Sequence, residues 1–121
     1  MQLQESGQMY LETILILSQR STSVHAVDIS DHMGYSKPSV SRAVGLLRKG
    51  GYVTVEEDGR IFLTEDGRAE AQRIYDRHRL ITQLLVTLGV DEQIASEDAC
   101  RMEHDISDAT FEAIRTYLEG K

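Results

Sequence analysis

Residues 36–63 read Ser-Lys-Pro-Ser-Val-Ser-Arg-Ala-Val-Gly-Leu-Leu-Arg-Lys-Gly-Gly-Tyr-Val-Thr-Val-Glu-Glu-Asp-Gly-Arg-Ile-Phe-Leu. Ser36 is placed to cap a helix, and Pro38 falls in a first turn whose amides have no intrahelical partner, so its missing N–H costs nothing. Val40, Val44 and Leu47 recur at three- and four-residue spacing and predict one apolar face. Ser39 and Arg42 are left pointing outward. Gly50-Gly51 stops the helix. Two β-branched and aromatic runs follow, Tyr52–Val55 and Ile61–Leu63, separated by a segment whose Asp58-Gly59 pair is a hairpin-turn signal.

Working upstream, the pattern predicts a short helix over Val24–Met33, with Ser23 as its cap and Gly34 as its left-handed stop. Two helices joined by a short glycine-containing turn are the helix-turn-helix arrangement, whose second helix enters the major groove of DNA. A hairpin directly after that helix is a wing. Further upstream, Tyr10, Ile14 and Leu17 define the stripe of a first helix from about Ser6 to Ser18. Downstream, periodicity from Thr64 to Leu88 predicts a long helix ended by Gly89. Another is expected from Asp91 to about Asp105, and a last one capped by Ser107 or Asp108 and carrying Phe111, Ile114, Tyr117 and Leu118.

The fold expected is therefore mainly α: a winged helix-turn-helix of three helices and a two-stranded wing over residues 1–70, then an α-helical domain over 71–121. The second part carries more apolar faces than a monomer covers easily, which points to a homodimer.

The 121 residues allow one continuous architecture and no pair of large domains. No stretch approaches the roughly 18 apolar residues of a membrane span. The start, with Gln2, Gln4 and Glu5, is unlike a secretory leader, so a cytoplasmic protein with no membrane partner is expected. The single cysteine, Cys100, cannot form an internal disulfide.

A net charge of −7 argues against a nucleic-acid partner until its distribution is considered. From His32 to Val55 there is no acid, while Lys37, Arg42, Arg48 and Lys49 are basic. From Asp91 to Lys121 nine acids face three bases. One region suits a polyanion and the other suits cations. Ser36, Lys37, Pro38, Ser39, Arg42, Arg48 and Arg60 are the expected DNA-binding set, with Ser36, Ser39 and Arg42 near base edges and Lys37, Arg48 and Arg60 on phosphates of a double-stranded operator.

Cys100, Glu103 and His104 occupy positions i, i+3 and i+4, which on a helix share one face. His78 lies on the preceding helix, and Met9 and Glu12 lie three apart on the first. Thiol, carboxylate, imidazole and thioether make a mixed hard and soft donor set, suited to a first-row divalent transition metal more than to Mg²⁺ or Ca²⁺. The bland alternative is a buried cysteine beside a solvated Glu and His. Enzymatic use of the trio is disfavoured, because neighbours on one turn point in parallel with no oxyanion hole and no glycine-rich phosphate loop follows. A winged-helix regulator sensing an organic ligand and a metal buffer that never touches DNA are the rival readings; the acid-free segment speaks against the buffer.

Residues 8–14 (Gln-Met-Tyr-Leu-Glu-Thr-Ile), 36–42, 63–67 (Leu-Thr-Glu-Asp-Gly), 77–80 (Arg-His-Arg-Leu) and 97–104 (Glu-Asp-Ala-Cys-Arg-Met-Glu-His) resemble, in order and over nearly the whole chain, the diphtheria-toxin-repressor and manganese-transport-regulator family. The resemblance implies a homodimeric repressor of metal-uptake or metal-homeostasis genes, activated by Mn(II) or Fe(II). It assigns Met9, Cys100, Glu103 and His104 to the primary site of iron-type members, His78 to a ligand used in both branches, and Glu12 to a ligand of manganese-type members. The set is a hybrid. Manganese-type members have Asp where Met9 stands and Glu where Cys100 stands; where iron-type members have a carboxylate and a further histidine, this chain has Thr82 and Ser96. Iron-type members also continue into an SH3-like domain, and this chain is expected to end as manganese-type members do.

Overall fold

The computed structural model describes residues 5–120; Gln2 and Gln4, on which the reading of the chain start rests, lie outside them. The order of elements is α1 (Glu5–Arg20), α2 (Ala26–Met33), α3 (Lys37–Lys49), β1 (Val53–Val55), β2 (Ile61–Leu63), α4 (Glu65–Thr87), α5 (Glu92–Met102) and α6 (Asp108–Glu119). The chain divides between Gln72 and Arg73 into two compact units, and α4 spans the division.

In the first unit, α1 buries Tyr10, Leu11, Ile14 and Leu15 against a core completed by Val24, Ile29, Val40, Val44, Leu47, Val53 and Ile61. Each fully buried aliphatic side chain stabilises this core by about 1.5–3 kcal/mol. The helix-turn-helix follows its local signals. Gly34 ends α2 at φ 73°, its amide donating to the Ser30 carbonyl. The Ser36 hydroxyl then accepts from the Ser39 amide at 3.3 Å to start α3.

The wing is an antiparallel pair with Val53 opposite Leu63, Thr54 opposite Phe62 and Val55 opposite Ile61. Beyond that ladder the Glu56 amide reaches the Arg60 carbonyl at 2.9 Å, and Gly59 takes φ 89°, so the turn is closed by the one residue type that enters the left-handed region without strain.

In the first unit two boundaries differ from the sequence expectation. Helix α2 begins at Ala26, with His25 and not Ser23 at its cap. The reason is tertiary: the Val24 carbonyl accepts the Ile61 amide at 2.8 Å, which draws Val24 out of the helix and onto the wing. The Asp28 carboxylate then accepts the His25 amide at 2.8 Å and closes the first turn from inside. Helix α1 runs two residues past Ser18, whose hydroxyl donates back to the Ile14 carbonyl at 2.6 Å. Gly67 shows why α4 starts where it does. A Cβ there would lie 1.9 Å from the Tyr52 carbonyl oxygen, so only glycine lets the first turn of α4 pass the end of the recognition-helix segment.

In the second unit Ile74, Ile81, Ala95, Ala99, Phe111 and Leu118 are buried. Asp91 caps α5, its carboxylate accepting the amides of Gln93 and Ile94, and Ser107 caps α6 through the Thr110 amide. Helix α5 was expected to reach Asp105 but ends at Met102. Glu103 keeps helical dihedrals as the C-cap residue, while the amides of Asp105 and Ile106 both turn back to the Met102 carbonyl. The chain must reverse here to enter α6. Cys100 is thus on α5, Glu103 is its C-cap residue, still bonded in helical fashion to the Ala99 carbonyl at 2.9 Å, and His104 is in the turn beyond.

Candidate metal centre and nucleic-acid interface

In the second unit the donor groups gather around one carboxylate. Glu103 is fully buried, and its Oε2 lies 3.0 Å from His78 Nδ1. A carboxylate oxygen only accepts, so Nδ1 carries the proton of that bond. Its other oxygen, Oε1, lies 3.4 Å from His104 Nε2, with the His104 side chain 1% exposed, and accepts no hydrogen bond among the described residues. A charge-bearing oxygen kept from water without a hydrogen-bond donor is costly. A cation removes that cost.

Cys100, half-buried, stands on α5 one turn before Glu103. Two imidazoles beside a buried carboxylate are the donor mixture of a first-row transition metal and not of an all-oxygen Ca²⁺ or Mg²⁺ site. The residues present thus fit a divalent metal. Met9 and Glu12, the remaining expected donors, lie half-buried on α1 of the first unit.

Sequence reasoning missed two members of this neighbourhood. Ser96 was noted only as a departure from a histidine-bearing pattern, yet its hydroxyl lies 3.3 Å from His78 Nε2, so both ring nitrogens of His78 are engaged. Thr82, the other departure, spends its hydroxyl on the His78 carbonyl at 2.7 Å, within α4. Arg77 is the second omission. Its buried guanidinium donates to the carbonyls of Glu103 at 3.1 Å and Ile106 at 2.8 Å and to the Asp108 carboxylate. The only prior signal was its place in the Arg-His-Arg-Leu motif.

In the first unit, Lys37, Pro38, Ser39, Arg42 and Arg48 are all exposed along α3, away from the buried Val40, Val44 and Leu47. Ser36 is exposed too, but its hydroxyl is committed to the cap: it accepts the Ser39 amide and donates to Ser39 Oγ at 2.9 Å. On the wing, Arg60 Nε donates to Asp58 Oδ2 at 2.8 Å, and its guanidinium lies 5.5 Å from the Phe62 ring centroid. The Asp58 carboxyl is held below its ordinary range, first by the Arg60 backbone amide and then by the Arg60 side chain. His25 Nε2 sits 3.2 Å from the Asp58 carbonyl, tying the cap of α2 to the wing tip.

Fold and side chains together define a winged-helix DNA-binding regulator whose second unit gathers two imidazoles around a buried carboxylate. The chain belongs to the iron-dependent repressor family: residues 2–61 match the family's "N-terminal DNA binding domain" and residues 64–120 its "metal binding and dimerisation domain". An HTH-type transcriptional regulator of Methanocaldococcus jannaschii is 34% identical over 97% of this chain and 95% of its own length. The transcriptional regulator MntR of Escherichia coli is 32% identical over 91% of this chain and 71% of its own. Among solved structures, a manganese-dependent transcriptional repressor in complex with manganese superposes with a TM-score of 0.84 at 28% identity. That match covers 93% of this chain and 52% of that one, so the chain spans about half of that repressor's length.

Proposed function

We propose that this protein represses transcription when a divalent metal, Mn(II) or Fe(II), is bound by His78, Cys100, Glu103 and His104 together with Met9 and Glu12 of α1. The observation that carries the reading is the buried Glu103 carboxylate, set between two imidazoles with one oxygen that accepts no hydrogen bond among the described residues. The protein is a DNA-binding regulator and not an enzyme, acts as a homodimer on double-stranded operator DNA, and no helix among its described residues is long and apolar enough to cross a membrane.

The chain's own groups perform distinct tasks. Exposed Ser39 and Arg42 on α3 read base edges in the major groove, with Ser36 and Pro38 setting the entry of that helix; Lys37, Arg48 and Arg60 lie on phosphates. Val86, Leu88, Ile94 and Tyr117, exposed on the second unit, supply apolar surface for the dimer. A bound metal would supply positive charge beside the buried Glu103 carboxylate, and the residues that would hold it are His78, Cys100, Glu103 and His104 with Met9 and Glu12. Two α3 helices must present themselves roughly 34 Å apart to enter successive major grooves, and heads free to reorient sample other separations. Restricting that freedom raises DNA affinity, and by reciprocity DNA raises metal affinity by the same factor. The test is Mn²⁺ titration of the protein followed by isothermal calorimetry, in wild type and in Glu103→Gln. Binding in the first and none in the second is expected; equal binding overturns the assignment.

A further inference from the structure

We propose that Arg77 is a positioning residue for the metal centre: its guanidinium holds the Glu103–His104 turn in the shape that presents both ligands before any ion arrives. The inference rests on the reading of Glu103 and His104 as ligands and adds what fixes them.

A helix end leaves its last carbonyls without intrahelical partners, and the common remedy is a glycine in the left-handed region that folds the chain back on itself. Helix α5 has no such residue. Glu103 at its cap is right-handed, no non-glycine residue among those described has a positive φ, and the chain runs on through His104, Asp105 and Ile106 without a glycine. A side chain from another helix does the closing. Arg77, on α4 and 4% exposed, directs Nη1 at the carbonyls of Glu103 (3.1 Å) and Ile106 (2.8 Å) and Nη2 at the carboxylate of Asp108, the first residue of α6. Its plane rests near the Phe111 ring, 5.2 Å from the centroid, with Arg115 5.1 Å from the same ring.

One cation thus gathers three acceptors spread over residues 103–108, and the backbone between them has little freedom left. The two candidate ligands are the first two residues of that stretch. Arg77 also precedes His78 on α4, so the helix that supplies one imidazole supplies the clamp for the other two donors. A purely fold-stabilising arginine would need no such placement at a ligand-bearing turn. Arginine is suited to the task where lysine is not, because its planar fork addresses several acceptors at fixed angles while an ammonium is a point donor. Groups that orient metal ligands without touching the metal typically control affinity by about 10- to 100-fold.

The test measures the Mn²⁺ dissociation constant by electron paramagnetic resonance on folded full-length protein. Four forms are compared with wild type: Arg77→Lys, Asp108→Asn, Glu103→Gln and the core control Ile74→Val. Circular dichroism confirms that each is folded at the assay temperature. Arg77→Lys is expected to bind Mn²⁺ about 10- to 100-fold more weakly. Asp108→Asn, which alters an exposed end of the same clamp without opening a cavity, should shift affinity in the same direction by a smaller factor. Ile74→Val should lower the melting temperature and leave Mn²⁺ affinity unchanged, a separation that a merely structural role for Arg77 does not give. Wild-type affinity in Arg77→Lys, or an equal loss in Ile74→Val, overturns the inference alone. Absence of Mn²⁺ binding by wild type, or unchanged binding by Glu103→Gln, overturns the ligand reading and this inference with it.

Discussion

Replacing Glu103 by glutamine separates a structural carboxylate from a metal ligand, because the first role predicts a loss of metal-free stability and the second a loss of the response to metal. Glutamine keeps the size of the side chain and an oxygen that accepts from His78 Nδ1, so the 3.0 Å bond to that ring survives. It removes a negative charge from a site with no solvent access. Exchanging a buried charge for a neutral amide offsets the weakening of a charge-assisted hydrogen bond, so metal-free stability should change by about 1 kcal/mol or less. The response to metal should change far more. A ligand at 100 times its dissociation constant stabilises the native state by about 2.7 kcal/mol. For a chain of this length each kcal/mol moves the melting temperature by roughly 4 °C, so wild type should gain about 10 °C. Differential scanning calorimetry with chelator and with excess Mn²⁺ measures both quantities. In Glu103→Gln the metal-free transition should stay near that of wild type and the gain should vanish. A full gain in the variant, or a metal-free loss above about 3 kcal/mol, refutes the argument.

Other changes test other links. Arg42→Ala, at an exposed position of α3, should cost about 1–3 kcal/mol on the operator and little on random duplex, measured by fluorescence anisotropy at fixed salt; equal losses would reassign Arg42 to the phosphates. The Asp58 carboxyl titrates below its ordinary range, so its pairing with Arg60 is complete above that range and is lost only as pH falls through the lowered value. Carboxyl-carbon NMR should therefore show no Asp58 transition between pH 5 and 8. Asp58→Asn should release Arg60 and steepen the dependence of log affinity on log salt by up to about one phosphate contact, and an unchanged slope would remove Arg60 from the interface. Gly67→Ala drives a methyl group into the Tyr52 carbonyl and should destabilise the first unit by about 1–3 kcal/mol, seen as a lower urea midpoint; a neutral result would mean the start of α4 shifts freely.

The parts of this fold legible in the sequence are those specified by neighbours in the chain. Ser36, Pro38, Gly34 and Asp58-Gly59 each act within a few residues of themselves, and each produced the cap, stop or turn expected of it. At the start of α2 and around the end of α5, residues distant in the chain make contacts that the local pattern does not encode. Val24 leaves α2 because Ile61, far along the chain, needs its carbonyl. Beyond the end of α5, the carbonyls of Glu103 and Ile106 accept from Arg77, across 26 and 29 residues of sequence. The candidate metal centre divides in the same way. Its residue types were recognisable from spacing and from family likeness, but the placement of Glu103 at a cap, the approach of Ser96 to His78 and the clamp by Arg77 all depend on how α4 meets the end of α5. No periodicity encodes that meeting.

The central claim is that occupancy of the Glu103 cluster governs DNA binding. Fluorescence anisotropy of a labelled palindromic duplex, its two half-sites one helical turn apart to match a two-fold dimer, titrated with protein in Mn²⁺, in Fe²⁺ under anaerobic conditions and in chelator, tests it most directly when wild type and His104→Ala are run side by side. The account predicts tight, metal-dependent binding by wild type and weak binding by His104→Ala whatever the metal. Equal wild-type affinity in metal and in chelator, or full metal dependence in His104→Ala, would contradict it.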